Sequence, residues 1–265
     1  MMGGSAGGTT EAVRRELPRD GRVFPAFLII GWRWIGRNPA VAVAPILLPF
    51  MFLFFLSVIS PGLLPLEVAG AMLFTTQNIG SWTLGDSAFW RIECSLQDLF
   101  VASPMRRIQY LFGIAFSNLI AMLPALVILG ILLAWEVGRS GGTFGWYAAL
   151  VLFGSLAVLW VLFSAIGIGI SSRLKTQRAI WPVGNLTFTI LGMLAPLYYP
   201  ISALPPVWQD VAHFVPTTYA ALLVQGAIGA TPVGPVDMIL YAVLLVVSAA
   251  IGTTLALSLY RWGSD

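Results

Sequence analysis

Few side chains in this sequence can carry covalent chemistry. There is one histidine, His213, and one cysteine, Cys94, in 265 residues. Nucleophilic triads and histidine metal centres need several such groups converging on one point, and this chain does not offer them. A lone cysteine also excludes an intrachain disulfide or a cysteine metal cluster. His213 reads as a surface or interfacial residue, and Cys94 as a semi-buried residue of a helix. The nearest approach to a phosphate-binding loop is 169–176, with Gly169, Lys175 and Thr176 suitably spaced. Leu174 stands where a second glycine would let backbone N–H groups wrap the phosphates, and no strand precedes the segment. No nucleotide site and no catalytic residue are expected, so the chain does not hydrolyse ATP by itself.

The stretch that does combine charge with periodicity is 86–107, DSAFWRIECSLQDLFVASPMRR. Asp86 is placed to cap a helix, its carboxylate accepting the free N–H groups of a first turn. Phe89, Ile92, Leu96, Leu99 and Phe100 recur at helical spacing and form one apolar face. Arg91, Glu93, Gln97 and Asp98 fall elsewhere on the wheel, and Pro104 stops the pattern. An amphipathic helix over 86–103 is therefore expected, tied to apolar spans at both ends and turning its polar face to water.

The elements that would hold this helix follow from composition. The chain is 58% hydrophobic and 9% charged, with a mean hydropathy of +0.88. Soluble domains carry about a quarter charged residues, so an all-α integral membrane protein is expected. A tail over 1–21 is Gly-rich and charged, holds no apolar run that would make a signal peptide, and is expected to be disordered. Paired tryptophans beside Arg33 and Arg37 mark 23–37 as a helix lying at the membrane interface, in preference to a first span. Six spans of the required length of about 20 apolar residues fall at 39–60, 64–84, 106–135, 144–171, 180–200 and 236–260, within one membrane domain over 22–265. Pro45, Pro49 and Pro124 lie inside spans as ordinary kinks.

Thirteen of the fourteen Lys and Arg residues lie before the first span, between spans two and three, between spans four and five, or after span six; only Arg139 falls on the other side. By the positive-inside rule both termini are cytoplasmic in a multi-pass protein of the cell membrane. The net charge of +3 and pI of about 9.3 are thus topological, and nucleic-acid binding has little to support it. On the outer side 201–230 reads as a short helix opened by Pro205 and Pro206 and ended by Pro216. A second apolar helix follows over 217–227, too short to cross a bilayer of about 30 Å and so expected to re-enter the outer leaflet. Polar side chains inside spans are few: Gln77, Asn78 and Ser81, Ser117 and Asn118, Asn185, Thr187 and Thr189. Such groups either join helices by hydrogen bonds or line a path. Ionisable residues, the usual mark of proton or ion routes, are absent from the span centres.

Taken together these features resemble the permease subunits of type-2 ABC exporters over about residue 22 to the C-terminus. Many members carry Glu-x-Gly-Thr-Leu-Glu, several apolar residues, then Ser/Thr-Pro and a basic residue. Glu93, Asp98, Ser103-Pro104 and Arg106-Arg107 fall in register with that motif, with Ser95-Leu96-Gln97 replacing Gly-Thr-Leu. Leu204-Pro205, Trp208 and 214–219, FVPTTY, resemble the family's outer segment. The resemblance implies that two permease chains, identical or different, form the pathway and that two separate ABC ATPase subunits, holding ATP and Mg, dock beneath them. No cofactor is implied for this chain itself. The helix over 86–103 would be the coupling helix, with Arg91, Glu93, Asp98, Ser103, Pro104 and Arg106 at the ATPase contact. Phe50, Phe54, Gln77, Asn78, Asn185 and Tyr198 would line the pathway.

The function expected is export of an amphipathic or lipid-like molecule such as a drug, lipid or glycolipid. A polysaccharide or lipid-linked glycan exporter is the nearest alternative. A stand-alone channel would need a repeated polar stripe, and a membrane enzyme a convergence of ionisable groups; neither is found.

Overall fold

The computed structural model describes residues 39–94, 107–140 and 144–260, with residues 29, 32–33 and 36–37. Among them there are helices and no strands. The α-helices are α1 (Pro39–Ile59), α2 (Leu64–Ile92), α3 (Arg107–Arg139), α4 (Trp146–Ser171), α5 (Gln177–Leu194), α6 (Pro206–Ala212), α7 (Pro216–Ala227) and α8 (Pro235–Leu259). Of the stretch expected to lie at the interface, Ile29, Trp32, Arg33, Gly36 and Arg37 are helical and exposed; the rest of 23–37, the tail and 95–106 lie outside the described residues.

Local chemistry sets several of these boundaries. α2, α6, α7 and α8 each open with proline in the first turn, where the missing N–H would have had no helical partner. Pro216 therefore opens α7, while the preceding short helix already ends at Ala212. α5 stops at Leu194, short of the expected 200, because Ala195 precedes Pro196 and is driven to an extended conformation (φ −86°, ψ 139°). α7 is closed by Gly229, whose φ of 73° suits a glycine C-cap.

Two departures concern the stretch 86–107. Asp86 does not cap a helix: α2 runs unbroken from Leu64 through Asp86 to Ile92, so residues 86–92 are its last turns and no separate helix begins there. With the helix already running through Asp86, no free first-turn N–H groups are left there for its carboxylate to cap. Cys94 is exposed, because α2 has ended at Ile92 and no described helix face covers it.

α3, α4 and α8, of 33, 26 and 25 residues, are long and apolar enough to cross a membrane. At 1.5 Å per residue, 25 residues span about 38 Å, more than a hydrocarbon core of about 30 Å. The outward face of α8 is apolar through its middle, from Ile239 and Leu240 through Val243, Val246 and Val247 to Ile251. A strip of that size does not persist in water, and this is a membrane protein. The helix at the centre is a different one. α2 packs against α1, α3, α4, α5 and α7, and a continuous core of its Val68, Met72, Leu73 and Leu84 with Leu129, Leu159, Phe163 and Phe188 surrounds it.

The α2–α4 crossing is set by glycine. A Cβ on Gly167 would strike the carbonyl of Gly80, and one on Gly80 would strike the Phe188 ring and the Phe163 carbonyl. Only hydrogen fits at either position, the device by which membrane helices approach without a hydrophobic drive between them. Gly154, on the same helix as Gly167, has nothing near it. Gly167→Val should therefore cost about 1–3 kcal/mol from overpacking, read as a lower thermal midpoint in detergent, while Gly154→Ala should leave that midpoint in place.

Candidate functional site

One end of the bundle collects the basic side chains. Ile92, Arg107, Ser171, Gln177 and Leu259 all lie there, with Arg91, Arg173, Lys175 and Arg178. Helix C-termini leave carbonyls without partners, and arginines supply donors to them. Arg91 Nη2 donates to the Ser171 carbonyl at 2.7 Å and also to that of Leu174. Ser171 Oγ lies 3.0 Å from Ser87 Oγ of α2. The end of α2 is thus pinned to the turn between α4 and α5. Arg107 Nη2 donates to the Leu257 and Tyr260 carbonyls, with its guanidinium 4.9 Å from the Tyr260 ring centroid. The phenol beneath that cation is neutral at physiological pH, as tyrosine ordinarily is. Arg173 reaches the Leu259 carbonyl at 3.2 Å.

Of the residues assigned to an ATPase contact, Arg91 is half-buried and turned inward onto α4, and Glu93 is exposed just beyond the end of α2. Asp98, Ser103, Pro104 and Arg106 lie outside the described residues.

The residues assigned to a pathway divide differently. Gln77 is 0% exposed; its Nε2 donates to the Phe188 carbonyl of α5 at 2.7 Å, and its Oε1 accepts from Thr217 Oγ1 of α7 at 2.8 Å. Both ends of the amide are engaged, so in this structure Gln77 joins three helices. Asn78 and Phe50 are half-buried, and Phe54 is exposed on α1. Asn185 is exposed on α5, with its Oδ1 3.4 Å from Ser81 Oγ. Tyr198 is half-buried in the irregular segment after α5 and stacks on Phe52, centroids 5.9 Å apart and planes 12° apart. Phe52 and Tyr198 thus join α1 to the segment after α5, while Asn185 lies further along α5, beside Ser81 of α2. At the end of α5 away from the basic side chains a cleft of about 310 Å³ is lined by Ile190, Met193, Leu194, Leu204 and Trp208; its wall is wholly apolar in residue type.

Sequence reasoning missed three residues. Thr217 satisfies Gln77, but only the fold brings residues 140 apart into contact. Gln225 holds the segment after α5 by donating to the Pro196 and Tyr199 carbonyls. Glu67, in the first turn of α2, is 1% exposed, and its Oε2 has no hydrogen-bond partner; nothing in its neighbours along the chain marks it. His213 is exposed and follows α6, its carbonyl accepting from the Tyr219 hydroxyl. Among the described residues no group of His, Cys, Asp and Glu is suited to hold a metal.

The model of the ABC-2 type transporter family matches residues 24–228. No curated protein matches the chain. The chain belongs to the ABC-2 type transporter family, as a transmembrane permease subunit that is not itself catalytic.

Gln77→Leu should leave the Thr217 hydroxyl and the Phe188 carbonyl without that partner in a dry interior, at a cost of about 1–3 kcal/mol. Asn185→Ala, at an exposed position, should cost much less. Thermal unfolding of the purified variants in one detergent measures the difference.

Proposed function

We propose that this chain is the permease subunit of an ATP-driven exporter that moves an amphipathic or lipid-like molecule, such as a drug, lipid or glycolipid, out of the cytoplasm or its leaflet. In this reading the basic end is cytoplasmic, α1, α2, α3, α4, α5 and α8 are the six spans, and α7 re-enters from the outer side. Two separate ABC ATPase subunits supply the energy, with ATP and Mg bound in them. Two permease chains enclose the pathway.

The observation that carries this reading is the continuity of α2. It is the most widely packed helix of the bundle, its last turn is pinned to α4 by Arg91, and it leads directly into the charged stretch that ends at Arg107. A partner that displaced residues 93–106 would pull on the centre of the molecule and not on its rim. Close-packed cores move between discrete arrangements instead of deforming smoothly, so such a pull is suited to switching the pathway. Asn185 and Thr189 are exposed on α5. Amides turned to hydrocarbon are costly, which supports a second chain or an aqueous path on that face. The apolar cleft beside Trp208 favours amphipathic cargo over a glycan.

The test is a gentle-detergent pull-down of the tagged chain from its native membrane, with mass identification and an ATPase assay. A companion in about equal amount that carries a P-loop and hydrolyses ATP with vanadate sensitivity is expected. A chain that comes out alone or only with itself would return the question to a stand-alone channel or enzyme. Within a positive result, the double variant Glu93→Ala with Asp98→Ala should lower ATPase association severalfold at unchanged expression. Arg91→Ala should retain association but uncouple ATP hydrolysis from transport. Full association and transport in all variants would remove these side chains from the coupling role.

A further inference from the structure

Helices α4 and α8 end at the basic side without a cation of their own. Neither carries a basic residue in its last turn, where one would stabilise the unpaired carbonyls. Neither is closed by a glycine, since Ser172 and Tyr260 stand at their C-caps. Each is supplied with an arginine by another helix. Arg91, in the last turn of α2, gives Nη2 to the Ser171 and Leu174 carbonyls at and just beyond the end of α4. Arg107, the first residue of α3, gives Nη2 to the Leu257 and Tyr260 carbonyls, 150 and 153 residues further along the chain. The two donors are the arginines that flank residues 93–106. α4 and α8 are joined to each other at the same level, Arg173 Nη2 donating to the Leu259 carbonyl at 3.2 Å and Ser172 Oγ lying 3.5 Å from it. The four helix ends form a ring, α2 to α4 to α8 to α3, completed by the chain between Ile92 and Arg107.

α8 carries this connection away from the basic end. It has 25 residues, a length of about 38 Å, and it packs along α4 through glycine. A Cβ on Gly169 would strike the Ala256 carbonyl, and one on Gly252 the Leu162 side chain. α8 also packs against α7, where a Cβ on Gly226 would strike Met238, near the start of α8, and Val233 just before it. α7 in turn presents the Thr217 hydroxyl to Gln77 of α2. Contacts this close transmit displacement instead of absorbing it. A shift of Arg107 is therefore passed along α8 to α7, at the end of the bundle opposite the basic side chains. None of the residues assigned to a pathway or to an ATPase contact lies on α8, and its connection to both ends is visible only in these contacts.

We propose that Arg107 is a positioning residue of the exporter, coupling residues 93–106, the stretch on which the ATPase acts, through the end of α8 to α7. The proposal rests on the permease reading above. In it a movement of that stretch has two outputs. Arg91, at its start, carries α4 with α2; Arg107, at its end, carries α8 with α3. The two meet at the hydrogen bond between Gln77 and Thr217, since Gln77 belongs to α2 and Thr217 to the helix packed on α8. A movement that reached only one arm would strain that bond, so the two arms act in step.

The experiment is hydrogen exchange, read by mass spectrometry, on the permease with its co-purifying ATPase, with and without ATP and vanadate. Exchange of a backbone N–H reports how readily its local structure opens. In the unaltered complex, vanadate trapping should change exchange severalfold at 171–174, at 257–260 and across α7. Arg107→Gln should keep the response at 171–174 and lose it at 257–260 and in α7. Arg107→Lys, which retains the cation, should recover part of it. A merely structural role would raise exchange at 257–260 equally with and without vanadate and leave the α7 response in place. Met238→Ala, remote from the ring, should silence α7 while 257–260 still responds, and it decides the matter should Arg107→Gln fail to accumulate. A full α7 response in these variants, or an unaltered complex in which 171–174 responds and α8 and α7 do not, would overturn the coupling and leave the permease reading standing. A chain with no ATPase companion would overturn the permease reading and this proposal with it.

Discussion

The structure depends on one constraint: its central helix is also a polar one. α2 carries Glu67, Thr75, Thr76, Gln77, Ser81, Thr83 and Ser87 at buried positions, in an interior where a polar group without a partner is costly. Most of these demands are met in ways that fix its neighbours. Thr75 and Thr76 turn back onto their own helix, to the Ala71 and Met72 carbonyls. Gln77 reaches outward instead and specifies where α5 and α7 must lie. Ser87 does the same for the end of α4. An all-leucine α2 would be as well buried but would leave the register of its neighbours to packing alone. Close approach then follows from Gly70, Gly80 and Gly167, where a Cβ would strike backbone carbonyls.

Such an arrangement has little slack. The α2–α4 contact is backbone against glycine over its middle and arginine against carbonyls at its end, so translation of α2 alone would break hydrogen bonds and create clashes together. A movement imposed at residues 93–106 is more cheaply accommodated by carrying α4 and the α4–α5 turn along with α2. Arg91 is important here because it joins the two helices at the point nearest that stretch. Any displacement passed into the end of α2 would therefore move α2 and α4 as a pair.

Much of the architecture was legible because the membrane simplifies the reading. Long apolar runs, prolines at helix starts and the one-sided distribution of arginine do not depend on tertiary context, and the observed helices occupy the runs that hydropathy marks. What was not legible depended on contacts distant in sequence. Asp86 has the chemistry of a cap, and nothing local reveals that α2 will run through it to Ile92. Gln77 and Asn185 look alike in sequence, an amide in an apolar span; one is locked in the interior and the other is exposed, and only the identity of Phe188 and Thr217 as neighbours separates them. Glu67 sits near a span end, where a carboxylate usually reaches water, and only the cover over the start of α2 buries it. Arg107 was legible as charge but not as the residue that closes α8.

The surface of the bundle separates along the same lines. α8 presents only apolar side chains outward through its middle, from Val243 to Ile251, and is content against hydrocarbon. α5 presents Trp181, Leu186, Ile190 and Met193 in alternation with Asn185 and Thr189, a mixture that neither lipid nor water solvates well. A helix that is amphipathic across a membrane has found its solvent only if one side meets protein or an enclosed path. The α8 side and the α5 side therefore require different neighbours. The α8 side is suited to hydrocarbon, and the α5 face that carries Asn185 and Thr189 is the one that calls for a polar neighbour.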